Sequence, residues 1–273
     1  MPRSLRFLPL ALVALTASLA AIGTTSARAD TAAKSTNWAG YAAEKNGLRF
    51  RRVAGTWIQP AVSCAPGQPG FSANWVGLGG FQQTSTALEQ IGTEADCTAS
   101  GKAVYSVWYE LVPDTSKAIK LTVRAGDKVS ASVAVRGHTV QLRLANRTRG
   151  TLFQKTLTAA TVDTGSADWI VEAPAVCGAG GGCRPTPLAN FGTTGFTAAT
   201  ATTSGGHTGT IVDPAWSRAA ITLSSQGGRE FAGAAPVAAS DGAAPSPLAA
   251  TGDGFLVVFQ QAAGDVPAPP SAG

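Results

Sequence analysis

The chain has 273 residues, 44% of them hydrophobic and only 14% charged, with a formal net charge of +5. Its first 29 residues hold three arginines and no acids, so the remainder carries +2, too little and too dispersed to call for nucleic acid or an anionic membrane as partner. No His-Glu-x-x-His pair, Gly-x-Ser-x-Gly elbow or phosphate-binding glycine loop occurs, which removes the commonest zinc-hydrolase, serine-hydrolase and nucleotide machineries and leaves no cofactor indicated.

Taken in order, the chain opens with Arg3 and Arg6, an apolar run from Phe7 to Ile22, and the small-x-small site Ala27-Arg28-Ala29. This is the pattern of a secretory signal peptide over residues 1–29, and it predicts a secreted protein beginning at Asp30. The apolar run is short for a membrane anchor, and no later segment approaches the length of a spanning helix.

Short strands follow. Ser35 to Ala43 is the first, and Leu48 to Gln59 the second, closed by Pro60. Phe71 to Leu78, Thr86 to Thr93, Ala103 to Leu111, Ile119 to Arg124 and Val129 to Val135 come next. Val140 to Ala145, Thr151 to Leu157, Ala167 to Glu172, Phe196 to Thr203, Ala219 to Leu223 and Phe255 to Phe259 complete the set. Turn residues separate them and almost no helical period is present, so the expectation is an all-β domain of two packed antiparallel sheets over residues 30–261. Ala232 to Gly252 reads as a long loop before the last strand, and residues 262–273 as a disordered Pro/Ala/Gly tail. Monomer is the default state for such a domain.

Cys64, Cys97, Cys177 and Cys183 are an even set in an exported chain, which predicts disulfides. Of the three possible pairings, Cys64–Cys97 with Cys177–Cys183 is favoured, the second closing the Gly178–Gly182 loop. Neither pair has metal-ligand spacing and both histidines lie far away, so no metal site is expected. Asn146-Arg147-Thr148 is a glycosylation sequon.

Asp163-Thr164-Gly165-Ser166 imitates the Asp-Thr-Gly signature of pepsin-type aspartic peptidases. It lacks the second such motif that a shared-proton dyad needs, and it is read as a turn. The strand after it is of more interest. Alternation puts Trp169 and Val171 on one face of Ala167–Glu172 and Asp168, Ile170 and Glu172 on the other. A carboxylate beside apolar neighbours at a strand end has the surroundings that raise a pKa toward acid–base work. Two further strands repeat the theme. Gln90 shares a face with Leu88 in Leu88-Glu89-Gln90-Ile91-Gly92, and Trp108 shares one with Glu110 in Trp108-Tyr109-Glu110. With Asn74-Trp75-Val76-Gly77, they sketch a cleft lined by tryptophans and a few polar groups.

These segments, together with Ser35-Thr36-Asn37-Trp38-Ala39-Gly40, resemble in order and spacing the glutamic peptidases, or eqolisins, of family G1. The resemblance spans about residues 35–260. It implies a lectin-like (concanavalin-type) β-sandwich of two bent antiparallel sheets with the substrate on the concave face. It implies a catalytic pair, Glu172 and Gln90, with Trp38, Trp75, Trp108 and Glu110 at positions lining or supporting the site, and polypeptides as substrates. Glu172 is then expected to serve as general base and acid for water, and Gln90 to stabilise the oxyanion, at acidic pH. Three positions depart from the fungal pattern, each replacing an Asp: Gly79, Glu94 and Ser106. Fewer acids about the glutamate alter its pKa, so an extreme acid optimum does not carry over. The alternatives are a carbohydrate-binding sandwich, which needs the tryptophans but not the pair, and a glycoside hydrolase using Glu110 with Glu172.

Overall fold

The computed structural model describes residues 31–177, 183–224, 228 and 241–262. The predicted signal peptide, most of the tail and the Gly178–Gly182 loop therefore lie outside the described residues. Among the described residues, eighteen strands follow in chain order. The first nine are β1 (Thr31–Ser35), β2 (Trp38–Glu44), β3 (Phe50–Ile58), β4 (Ala73–Gly79), β5 (Leu88–Cys97), β6 (Ala103–Val112), β7 (Lys117–Ala118), β8 (Lys128–Arg136) and β9 (Thr139–Asn146). The rest are β10 (Thr151–Thr158), β11 (Ser166–Glu172), β12 (Ala175–Cys177), β13 (Cys183–Pro185), β14 (Thr193–Thr203), β15 (Thr208–Gly209), β16 (Ser217–Leu223), β17 (Gly242–Pro245) and β18 (Phe255–Gln260).

The chain is all-β, as expected, but the two sheets are the halves of one unclosed ladder. Its order is β10-β9-β8-β3-β14-β18-β17-β16-β2-β11-β4-β5-β6-β7. Neighbours on this path are antiparallel; β1 alone runs parallel, alongside β16. The ladder folds over so that β3 and β8 lie across β4, β5 and β11. Between the layers sit Trp57, Val76, Ile91, Val133, Leu142 and Trp169, all fully buried. Polar atoms tie the layers together across this core. Trp169 Nε1 donates to the Ala54 carbonyl at 2.8 Å, and Trp57 Nε1 to Thr93 Oγ1 at 2.9 Å. Gly55 leaves room for the first of these contacts, since a Cβ there would lie 3.0 Å from the Trp169 ring.

The outer face of the β2–β11–β4–β5–β6 layer carries a second apolar group, which includes Trp38, Trp75, Leu88, Trp108 and Ile170. Strands β2, β4 and β11 are thus buried on both sides, and WAGYAA, ANWVGLG and SADWIV show little polar alternation for that reason.

Two expectations change, and the sequon asparagine takes a structural role. Residues 119–124 join no ladder although Val123 is buried, because alternation reports which side chains are covered and not whether the backbone finds a partner. The expected loop before the last strand contains β17, which pairs with β18 from Gly242↔Gln260 to Pro245↔Val257. Asn146 is fully buried, with its amide donating to Thr122 O and to Asp127 Oδ2, so in the folded protein it offers nothing to an oligosaccharide. Cys64 and Cys97 form the expected disulfide. Cys177 and Cys183 face each other in the β12–β13 ladder, but their side chains lie outside the described residues, and the second disulfide with them.

Candidate active site

Three rows of residues cross the outer side of β11, β4, β5 and β6, fixed by the ladder register. Asp168, Gly77, Gln90 and Glu110 form one row; Ile170, Trp75, Gly92 and Trp108 the next; Glu172, Ala73, Glu94 and Ser106 the third. The register brings the Gln90 and Glu172 singled out in the sequence onto one face, on strands separated by β4, with Glu110 and the tryptophans around them. They do not bond to each other.

Glu172 ends β11, where Ala173 and Pro174 leave the ladder, and lies opposite Trp38 at the start of β2 and Ala73 at the start of β4. Both its oxygens are held. Trp75 Nε1 donates to Oε2 at 2.7 Å, and Asn37 Nδ2 donates to Oε1 at 3.1 Å. The Asn37 amide is oriented by Ser35, whose hydroxyl contacts Asn37 Oδ1 at 3.0 Å and accepts the backbone N–H groups of Asn37 and Trp38. With the amide oxygen so engaged, the NH2 group is the end presented to Glu172. Sequence reading missed the role of Asn37. The dipeptide Asn37-Trp38 was visible, but the contact spans 135 positions of chain and depends on the β2–β11 register.

Gln90 is almost wholly buried between Gly77, which has no side chain, and Glu110. Its Nε2 donates to Glu110 Oε2 at 2.7 Å, and its Oε1 has no partner. Of the four residues predicted to line the site, Trp38 and Trp75 are fully enclosed and pack edge to face at a ring distance of 4.9 Å. They support Glu172 rather than present surface to a ligand. Trp108 is slightly exposed and Glu110 partly so.

Carboxyls crowd this face without cations; the ion pairs found among the described residues, Arg149–Asp127 and His207–Asp213, involve none of them. Burial pushes the Glu172 carboxyl up to about 8, reinforced by the Glu110 charge and opposed by the hydrogen bonds from Trp75, Trp38 and Asn37. Burial likewise raises Glu110 and Glu94, and raises Asp96 to about 7 with help from the Glu94 charge. Two of the departures noted in the sequence prove to be partners. Ser106 faces Glu94 across β5 and β6 and donates to Glu94 Oε2 at 2.5 Å, which opposes the rise of that carboxyl. The third, Gly79, sits at φ +84°, and a Cβ there would lie 2.5 Å from that of Asp163, so Asp163 fills its side-chain space. The Asp163–Ser166 stretch is the expected turn, closed by the Gly165 N–H on Asp163 Oδ1 at 2.8 Å.

Comparison with known proteins bears on the family and the fold. The Peptidase A4 family model matches residues 36–231. Scytalido-glutamic peptidase, solved with a peptide-based transition-state analogue, is similar at a TM-score of 0.60 and 22% identity, over 82% of this chain and 98% of that one. SCP-B, an eqolisin in complex with the tripeptide Ala-Ile-His, gives 0.61 and 21% over the same shares. Aspergilloglutamic peptidase from Aspergillus niger gives 0.52 and 24%, over 70% of this chain and 99% of that one. At these identities the likeness is one of fold. No curated protein matches the sequence.

Proposed function

Since the chain belongs to the Peptidase A4 family, the eqolisins or glutamic peptidases of group G1, we propose that it is a secreted endopeptidase whose catalytic pair is Glu172 and Gln90. Family membership makes it a hydrolase of peptide bonds and sets aside the carbohydrate-directed alternatives. The observation that carries the finer reading is the double hold on Glu172: an indole N–H on one oxygen and an oriented amide on the other, on the face that also bears Gln90.

Amide hydrolysis needs a base for water, a donor for the oxyanion and an acid for the leaving nitrogen. Ionised Glu172 takes one proton from water as its oxygen bonds to the carbonyl carbon. The carbonyl oxygen becomes an oxyanion, and Gln90 Nε2 meets it. That amide has two N–H bonds; Glu110 accepts one, so the other remains for substrate. The proton on Glu172 then passes to the nitrogen as the C–N bond breaks, and Glu172 is regenerated as carboxylate. Holding Gln90 by Glu110 removes the cost of orienting the amide during the reaction.

This role fixes the pH limb. A carboxyl near 8 is ionised in about one molecule in a thousand at pH 5 and about one in ten at pH 7. Rate should rise over that interval and on toward pH 8, so the protein should work better in neutral solution than in acid. The Cys64–Cys97 disulfide supports an oxidising, extracellular setting.

The test is digestion of a denatured protein by purified wild type, Glu172→Gln and Gln90→Ala. Glu172→Gln should fold and show no turnover. Gln90→Ala should keep less than about 1% of kcat, the scale on which a lost oxyanion donor acts. Normal cleavage by the first variant refutes the mechanism, and near-full activity of the second removes Gln90 from it.

A further inference from the structure

Trp75 and Gly77 are two residues apart on β4, so both side-chain positions face the cleft. An indole lying along its own strand needs space at the position two residues on, and glycine supplies it. A Cβ placed on Gly77 would lie 2.9 Å from Trp75 Cζ3, 3.0 Å from Leu88 Cδ1 and 3.1 Å from the Glu89 carbonyl oxygen. Cζ3 and Nε1 are on opposite edges of the indole, and the Nε1 edge ends 2.7 Å from Glu172 Oε2. Trp38 packs on the ring edge to face, and Gly92 lies directly across on β5, where a Cβ would come within 2.6 Å of Trp75 Cβ.

We propose that Gly77 is a positioning residue of the active site. Its empty Cβ position sets how far the Trp75 indole lies along β4, and the indole in turn sets where the Glu172 carboxylate stands. The inference rests on the reading of Glu172 as catalytic base. A methyl group at position 77 must push the six-membered ring away by more than about half an ångström to restore ordinary carbon–carbon contact. The push is directed at a hydrogen bond already at the short end for N–H···O⁻. Either the carboxylate is displaced or the indole turns and the bond opens.

The experiment compares wild type, Gly77→Ala, Trp75→Phe and the double variant, with kcat and KM measured across the pH range. The indole N–H resonance of Trp75 is followed by NMR and assigned by its loss in Trp75→Phe. Gly77→Ala should lower kcat on the order of 10- to 100-fold, the penalty for misplacing a catalytic group by a fraction of an ångström to an ångström. KM should stay within about threefold, the acid limb should move to higher pH, and the Trp75 resonance should shift. Phenylalanine lacks both the N–H and the Cζ3 edge, so adding Gly77→Ala to Trp75→Phe should cost no more than about twofold beyond Trp75→Phe alone. The double variant also covers the case in which Gly77→Ala alone does not fold. If the double variant too fails to fold, or if the two losses multiply, the methyl clashes with the Glu89 backbone and the proposal falls. Wild-type kcat and an unmoved resonance in Gly77→Ala overturn it as well. With Glu172→Gln inactive, either failure leaves the Glu172 reading intact; if Glu172→Gln is active, that reading fails first.

Discussion

Replacing Glu89 by glutamine should make the protein more tolerant of neutral and mildly alkaline solution. Glu89 is fully buried; Oε1 accepts the Asp163 N–H at 3.3 Å, and Oε2 has no partner. Burial, with the Asp163 charge adding to it, pushes the carboxyl from 4.5 up to about 8, against the weaker pull of that N–H. Between these values the unfolded chain has released the proton and the folded chain keeps it. The stability tied to the neutral acid is therefore complete below 4.5 and is lost as pH rises toward 8. The slope is about 1.4 kcal/mol per pH unit, or about 5 kcal/mol over the whole window. Glutamine has nearly the same shape and no charge at either end. The variant should match the parent near pH 4 and exceed it by several kcal/mol near pH 8. At about 2–4 °C per kcal/mol for a domain of this size, the gap in Tm should open from near zero to about 10 °C or more. Thermal and urea unfolding, followed by circular dichroism, would be run in a Glu172→Gln background to prevent self-digestion. Asp96 and Asp168, both raised by burial, contribute equally to the two proteins and do not enter the difference. Equal pH slopes for the two proteins, or parental stability that climbs from about pH 5 to 8, would refute the reasoning.

Other predictions concern the site and the frame that carries it. Trp75→Phe removes the 2.7 Å donor to Glu172, so kcat should drop on the order of tenfold or more and the acid limb of the rate profile should move to higher pH; an unshifted limb counts against the contact. Replacing Cys64 and Cys97 together by serine opens a loop of 33 residues and should cost about 3–4 kcal/mol in urea unfolding, and a loss below about 1 kcal/mol would show that the bridge does not restrain the unfolded chain. Protein secreted from a glycosylating host should carry no glycan at Asn146, because the folded state buries that amide against Asp127; mass spectrometry of the active protein checks this. Asn146→Ala should destabilise by about 1–3 kcal/mol, since it leaves part of a buried carboxylate without its donor.

The sequence by itself determined which side of each strand faces the cleft. Period-two alternation is enforced by backbone geometry, and it separated Trp169 and Val171 from Ile170 and Glu172, and Gln90 from Ile91, as the two apolar groups of the structure do. Composition and turn residues likewise sufficed for the all-β class; the even cysteine count called for disulfides but left three pairings open, and the structure shows Cys64–Cys97. Which strands lie side by side was decided only in three dimensions. Pairing is a long-range property that local sequence does not encode, so Asn37 at Glu172, Ser106 at Glu94 and Asp163 in the space beside Gly79 were each legible as residues but not as partners. The same register explains why Glu172 is not an ordinary strand-end carboxylate. Its neighbours are an indole from β4 and an amide from the approach to β2, and burial among them raises its pKa into the range where it can exchange protons.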